Sequence, residues 1–304
     1  MQDKPAVHIL DLHFQGLAEA IAVFAIIGPR GTVLVECGPT STLPRLLAAL
    51  ASLGVPPAGV SDVLVTHVHL DHAGSAGWWS AQGANVHVHR RGHRHLADPT
   101  RLLASAARVY GADMERLWGD MQPVAEQRLV AHDDGECFSA GGIAFRSIDT
   151  PGHAVHHLAY AMGVDVFTGD VAGIRLPGCR PVVAPTPPPD IDVGDWLASL
   201  ERIRRLRPAR LQLTHFGTVF DADAHLDGVA ASLHASLARV AEGRSRGLDR
   251  DALVGDFAAW SRSSLAELGV DGRVLEAYVA ANPAGMAVDG LTRYLELAAA
   301  KNAV

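Results

Sequence analysis

The feature that most restricts how this chain can fold is the run Thr66-His67-Val68-His69-Leu70-Asp71-His72, which follows directly on a short apolar strand, Val63–Val65. In an extended segment residues two apart point the same way, so His67, His69 and Asp71 converge, while His72 opens the next helix and swings to a neighbouring position. Three imidazoles and a carboxylate within six residues suit a transition metal, and the alternation divides them between two adjacent ions. The arrangement recurs downstream. Thr150-Pro151-Gly152-His153, Phe167-Thr168-Gly169-Asp170 and Leu213-Thr214-His215 each place a ligand type just after a strand. The fold must therefore bring several strand ends to one edge, where strands hold side chains more firmly than loops do.

The patterning supports alternation of strands and helices up to about residue 215. Strands are expected at Val7–Leu10, Ala20–Ile27 and Thr32–Glu36, the last two joined by Gly28-Pro29-Arg30-Gly31. Thr42–Leu53 has helical apolar spacing and stops at Gly54. Val86–Val88 is the next strand, residues 95–122 form a mostly helical insertion, and strands follow at Ile143–Ile148, Leu158–Met162 and Val166–Thr168. Residues 173–192 carry Pro177, Pro181, Pro185, Pro187, Pro188 and Pro189 and are a long loop, which in a compact domain usually serves function. Trp196–Leu206 is a helix and Leu211–Leu213 the last strand; helices then occupy 224–243, 249–267, 271–281 and 285–300. The expected division is a metal-binding domain over 1–221 and a helical region over 222–304.

Composition removes several classes of function. The 304 residues carry 26 basic and 33 acidic side chains, a net charge of −7, with no basic face for nucleic acid. No apolar run is long enough to span a bilayer, and the first residues lack a secretory apolar segment. Cys37, Cys137 and Cys179 are scattered and form no disulfide framework, so a reducing cytoplasm is expected. Neither a Gly-x-x-x-x-Gly-Lys phosphate loop nor a Gly-x-Gly-x-x-Gly dinucleotide loop is present.

His-x-His-x-Asp-His followed in order by His153, Asp170 and His215 resembles the metallo-β-lactamase superfamily, in its glyoxalase II-like branch, over roughly residues 5–220. The resemblance implies an α/β fold, an αββα sandwich with the metals at one edge, here with a C-terminal helical extension. It implies that His67, His69 and His153 hold one metal and Asp71, His72 and His215 a second, with Asp170 bridging both. Two divalent ions are expected, zinc first, with manganese or iron as alternatives. His157 is implied to stand near the site. At Val35-Glu36-Cys37-Gly38 many members carry Asp-x-Gly; Glu36 is expected to serve as an acceptor behind the ligands.

Such a pair of ions makes a bridging hydroxide available at neutral pH, and Asp71 is the candidate to hydrogen-bond it and shuttle its proton. The expected activity is hydrolysis of a small-molecule ester, thioester or lactone. A phosphodiesterase or nuclease ranks second, and a mononuclear iron oxygenase of persulfides, using His67, His153 and Asp170, ranks third. Tyr110, Met114 and Trp118 recur at helical spacing, which fits a lid over the site or ordinary packing. Arg175 and Arg180 follow Asp170 in the proline-rich loop and are candidates to face a substrate carboxylate or phosphate. His87 and His89 read as ordinary strand-face residues, with His87→Ala expected to behave like wild type, and Arg90–His95 as a solvated loop. Phe257, Trp260 and Leu265 give the C-terminal helices apolar faces to be covered by the sandwich or by a second copy of the chain.

Overall fold

A computed structural model describes residues 5–302, so the outer ends of the expected division, 1–4 and 303–304, lie outside the described residues. The chain runs through β1 (Val7–Asp11), β2 (Ala22–Gly28), β3 (Gly31–Val35), α1 (Leu43–Ser52) and β4 (Val60–Leu64). Two short helices, α2 (Leu70–Ala73) and α3 (Ala76–Ala81), lead to β5 (Asn85–His89). The insertion is α4 (Arg90–Ala97), α5 (Thr100–Tyr110) and α6 (Met114–Trp118). There follow β6 (Leu129–His132), β7 (Cys137–Ala140), β8 (Ile143–Asp149), β9 (Leu158–Met162) and β10 (Asp165–Phe167). After the proline-rich loop come α7 (Val193–Arg205), β11 (Arg210–Leu213) and β12 (Gly217–Val219). The C-terminal helices are α8 (Ala222–Ser245), α9 (Arg250–Glu267), α10 (Gly272–Ala281) and α11 (Ala284–Asn302). None of the described helices is long and apolar enough to cross a membrane.

The strands form two sheets of six, in the order β1-β2-β3-β4-β5-β6 and β12-β11-β10-β9-β8-β7. Successive residues of a strand face opposite layers, and the cores follow that rule. Phe24 and Ile26 of β2 and Val33 and Val35 of β3 pack between the sheets against Phe145, Leu158, Tyr160 and Phe167. Val23, Ala25 and Leu34, on the opposite face, pack against Leu46 and Leu50 of α1 and Trp79 of α3. The outer face of the second sheet, with Val166, Leu211 and Leu213, is covered by Trp196, Leu200 and Ile203 of α7 and by the C-terminal helices. The layers are helix, sheet, sheet, helix, the architecture expected. Phe257 and, in part, Trp260 pack into this outer layer, and Leu265 packs against Tyr278 and the proline-rich loop.

Three strands escape the sequence patterning: β6, β7 and β12. All three are edges of their sheets, with four, four and three residues; such segments are too short for a period-two signal. One expectation is corrected: the Arg90–His95 run is not a loop but most of α4. His89 starts it by accepting from the Arg91 N–H, and Leu96 is buried beneath it. Its arginines are largely exposed, so the charge that argued for solvation sits on a helix whose other side is core.

His87 is a residue of β5 and belongs to neither ligand cluster, as its strand-face reading has it, but it is more tightly held than that reading implies. It lies in a buried polar belt across β4, β5 and β6, where its Nε2 donates to Asp62 (3.0 Å) and its Nδ1 meets His132 (2.8 Å). Asp62 also accepts from Ser61, Asn85 and the Gly141 N–H of the turn between β7 and β8. Removing the His87 ring strips a partner from both Asp62 and His132, so His87→Ala costs stability. Burial alone would raise the Asp62 carboxyl, but the bonds from His87, Ser61, Gly141 and Asn85 outweigh it and bring it down to about 2. A free aspartate titrates near ~3.9, so the ionised form stabilises the fold above pH ~4 and that contribution fades as pH falls towards 2. Asp62→Asn is expected to lower the unfolding free energy by about 1–2 kcal/mol at neutral pH. Urea titrations at falling pH test this: the gap from wild type should close below pH 4, and a gap independent of pH rules the charge out.

Candidate metal centre

Each site residue sits where a strand ends at one edge of the sandwich. β4 delivers His67 and His69, and α2, which begins at Leu70, carries Asp71 and His72 in its single turn. The turn after β8 presents His153, the 3-10 turn Gly169–Ala172 after β10 presents Asp170, and His215 follows β11. Two glycines make the close approaches possible. A Cβ at Gly152 would lie 2.3 Å from the Trp196 backbone, and one at Gly169 would lie 2.4 Å from Thr66 Oγ1. Both have positive φ, which a residue with a side chain resists.

The ligand atoms fall into two groups, His67-His69-His153-Asp170 and Asp71-His72-His215, each within 4.8 Å internally. His69 Nδ1 lies 2.9 Å from His67 Nε2 and 3.0 Å from His153 Nε2. Asp170 faces both groups: Oδ2 is 3.2 Å from His153 Nε2, while Oδ1 is 3.1 Å from His72 Nε2 and 3.3 Å from His215 Nε2. Asp71 Oδ2 is 3.4 Å from the Nε2 atoms of both His72 and His215. The structure thus brings together all the residues of the expected division.

The far side of each ring decides what these atoms can hold. His72 Nδ1 donates to Glu36 Oε1 (2.9 Å), His153 Nδ1 to the Pro185 carbonyl (3.1 Å) and His215 Nδ1 to the Ala20 carbonyl (2.6 Å). Thr66 donates its hydroxyl to Glu36, which leaves its oxygen to accept from His67 Nδ1 at 3.0 Å. With Nδ1 carrying the proton, a neutral ring presents Nε2 as a lone pair. Four such lone pairs and two carboxylates then face one another, and the buried His72 Nε2 and Asp170 Oδ1 lack a hydrogen-bond partner. This donor set fits divalent metal ions such as zinc.

The electrostatics agree. Burial, over the opposing pull of Asp170, brings His153 down to about 4, and burial together with the neighbouring imidazoles holds His67 well below its ordinary range. Burial acts the same way on His215, but Asp170 and Asp71 outweigh it and hold His215 up at about 10, with His72 likewise raised. Burial opposes ionisation of Asp71 and Asp170, yet the imidazoles keep both below the usual carboxylate range. The centre requires positive charge between its carboxylates, which protons on His72 and His215 or a bound cation supply.

Glu36 is wholly buried behind the centre and also accepts from the Thr66 N–H and the Thr214 hydroxyl. His157 packs on His67, ring centroids 5.0 Å apart, and bonds Thr150. Tyr110 and Trp118 line the cavity in front of the two ligand groups, whereas Met114 packs on the adjoining core. Arg175 does not face that cavity: its guanidinium pairs with Asp221 at 2.8 Å and donates to the Cys179 carbonyl. Arg180 is exposed. Sequence reasoning missed Thr66 and Thr214, although each directly precedes a ligand histidine, and it missed Phe14 and Met286, which line the cavity from distant parts of the chain.

A family model described as the metallo-beta-lactamase superfamily matches residues 18–215. The metallo-beta-lactamase fold-containing protein ST1585 of Sulfurisphaera tokodaii is 31% identical over 206 residues, covering 66% of this chain and 74% of that protein. A hydroxyacylglutathione hydrolase of Xanthomonas campestris pv. campestris is 30% identical over 178 residues, covering 59% of this chain and 56% of its own length. In fold, the solved structure of the metallo-beta-lactamase family protein TTHA1429 of Thermus thermophilus matches with a TM-score of 0.68 at 22% identity, over 98% of this chain and 94% of that one. The family match spans well over half of the chain and includes every residue of both ligand groups. This chain belongs to the metallo-β-lactamase superfamily.

Proposed function

We propose that the protein is a dinuclear metal-dependent hydrolase, with zinc the fitting metal, that cleaves an ester, thioester or lactone in a small molecule. The observation that carries this reading is Asp170, whose two oxygens face the two ligand groups separately. Bound ions would acidify a water molecule and polarise the scissile carbonyl. The chain's own part is to fix the ring tautomers through Glu36, Thr66, Pro185 and Ala20, and to set Asp71 beside the cavity. Asp71 is the more accessible of the two carboxylates, its side chain 23% exposed, so it can take a proton as the reaction proceeds. A mononuclear oxygenase would leave the Asp71-His72-His215 group without a task. The relative named for hydrolysis of an acylglutathione supports a carbonyl substrate. Cys37, Cys137 and Cys179 are unpaired, in keeping with action in a reducing cytoplasm. Metal content of untagged protein, measured by plasma mass spectrometry beside an ester, thioester, lactone and phosphodiester panel, tests the reading. About two equivalents of zinc with carbonyl turnover are expected. A single equivalent of iron, with oxygen uptake on persulfides, overturns it.

A further inference from the structure

We propose that the substrate carries a neutral, apolar acyl chain, held in a chamber that α5 roofs and α11 helps to close; this rests on the hydrolase reading above. A cavity of about 240 Å³ opens from His69, Asp71, Asp170 and His215. Its walls come from four separate parts of the chain: Phe14 and Ile21 near the N-terminus, Leu102 and Ala106 on α5, Pro187 of the proline-rich loop, and Met286 on α11. Among the described residues no arginine or lysine lines it; apart from the metal-centre residues and the Tyr110 and Trp118 rings, its polar side chains are Gln15, Ser105 and Asn282.

The roof helix is unusual in having no buried residue. Leu102, Ala106, Val109 and Tyr110 recur at helical spacing and line the cavity. Val109 is 50% exposed. An apolar stripe turned towards an open chamber gains its burial when an apolar group fills that chamber. The charged alternative is disfavoured by the same walls. A carboxylate placed there loses water and meets no cation among the described residues, because Arg175 is bound to Asp221 and Arg101 and Arg108 are exposed and absent from the lining.

The test is a series of thioesters from acetyl to octanoyl on the metal-loaded protein, with a hexanoyl analogue ending in a carboxylate, alongside calorimetric titration of octanamide. Burial of each added methylene should raise kcat/KM about fourfold, and the carboxylated analogue should fall well below its neutral match. Ala106→Glu should flatten the series and abolish octanamide binding. Val109→Glu, at a half-exposed position that cannot unsettle the core, should do the same more weakly. Turnover indifferent to chain length, or equal for the carboxylated analogue, overturns the inference and leaves the hydrolase reading intact. Octanamide binding that both variants lose, without turnover of any thioester or of the matching esters and lactones, upholds the apolar chamber and removes the hydrolase reading. Failure of both binding and turnover overturns the chamber.

Discussion

Asp170→Ala is expected to reduce hydrolysis by on the order of 10³-fold, near the upper end for one preorganised electrostatic group, and to lower metal content while the sandwich stays folded. Its two oxygens are the shared element of the ligand groups, so its loss weakens both at once rather than one. The carboxylate also balances His72, His153 and His215, which otherwise face one another as buried rings. Folding should survive, because Asp170 lies in a short turn beyond the end of β10 and not in the sheet itself. That turn is held by contacts the substitution leaves in place, among them the bond from the Trp196 indole to the Val171 carbonyl at 2.7 Å. Metal per chain, circular dichroism and thioester turnover on one preparation separate these effects. A folded variant with full metal and full activity would remove Asp170 from the mechanism. Asp170→Asn, which keeps the shape and loses the charge, should sit close to the alanine variant if charge is what matters.

The ligands were legible because each is a chemically distinctive side chain at the end of a strand, where a period of two or a following turn fixes its direction. What lies behind them was less so. The Pro185 and Ala20 carbonyls that orient His153 and His215 are backbone atoms, which any residue type could provide. Arg175 shows the opposite failure: its place after Asp170 pointed at substrate, but Asp221, 46 positions along the chain, captures it. His87 looked dispensable because its partners Asp62 and His132 stand on neighbouring strands, a relation that no spacing in the chain encodes. The edge strands were lost for want of length, and the cavity because its walls meet only after the proline-rich loop and the C-terminal helices close on one another. Tyr278 of α10 fastens that closure by donating to the Pro181 carbonyl and accepting from the Leu176 N–H.

Glu36→Gln is expected to weaken metal retention by about 10–100-fold, the usual cost of losing a partner behind a ligand, with the Asp71-His72-His215 group affected first. Glu36 Oε1 accepts from the Thr66 hydroxyl (2.6 Å), His72 Nδ1 (2.9 Å) and the Thr214 hydroxyl (3.2 Å), and Oε2 accepts from the Thr66 N–H. Glutamine preserves the volume but removes the charge that makes His72 a stronger donor to a metal, and turns one acceptor into a donor facing other donors. Its backbone, with φ of 64°, is one that residues other than glycine adopt reluctantly, and the network holds it there. Glu36→Ala should go further: four buried donors lose their acceptor at about 1–3 kcal/mol each if left unpaired, partly relieved by entering water, for a net loss of about 3–5 kcal/mol. Denaturant unfolding with chelator and with metal separates the two effects. Glutamine should shift mainly the metal-bound curve, whereas alanine should shift both. A glutamine variant that retains its metal as tightly as wild type would mean that the position of His72 is set by the turn of α2 alone.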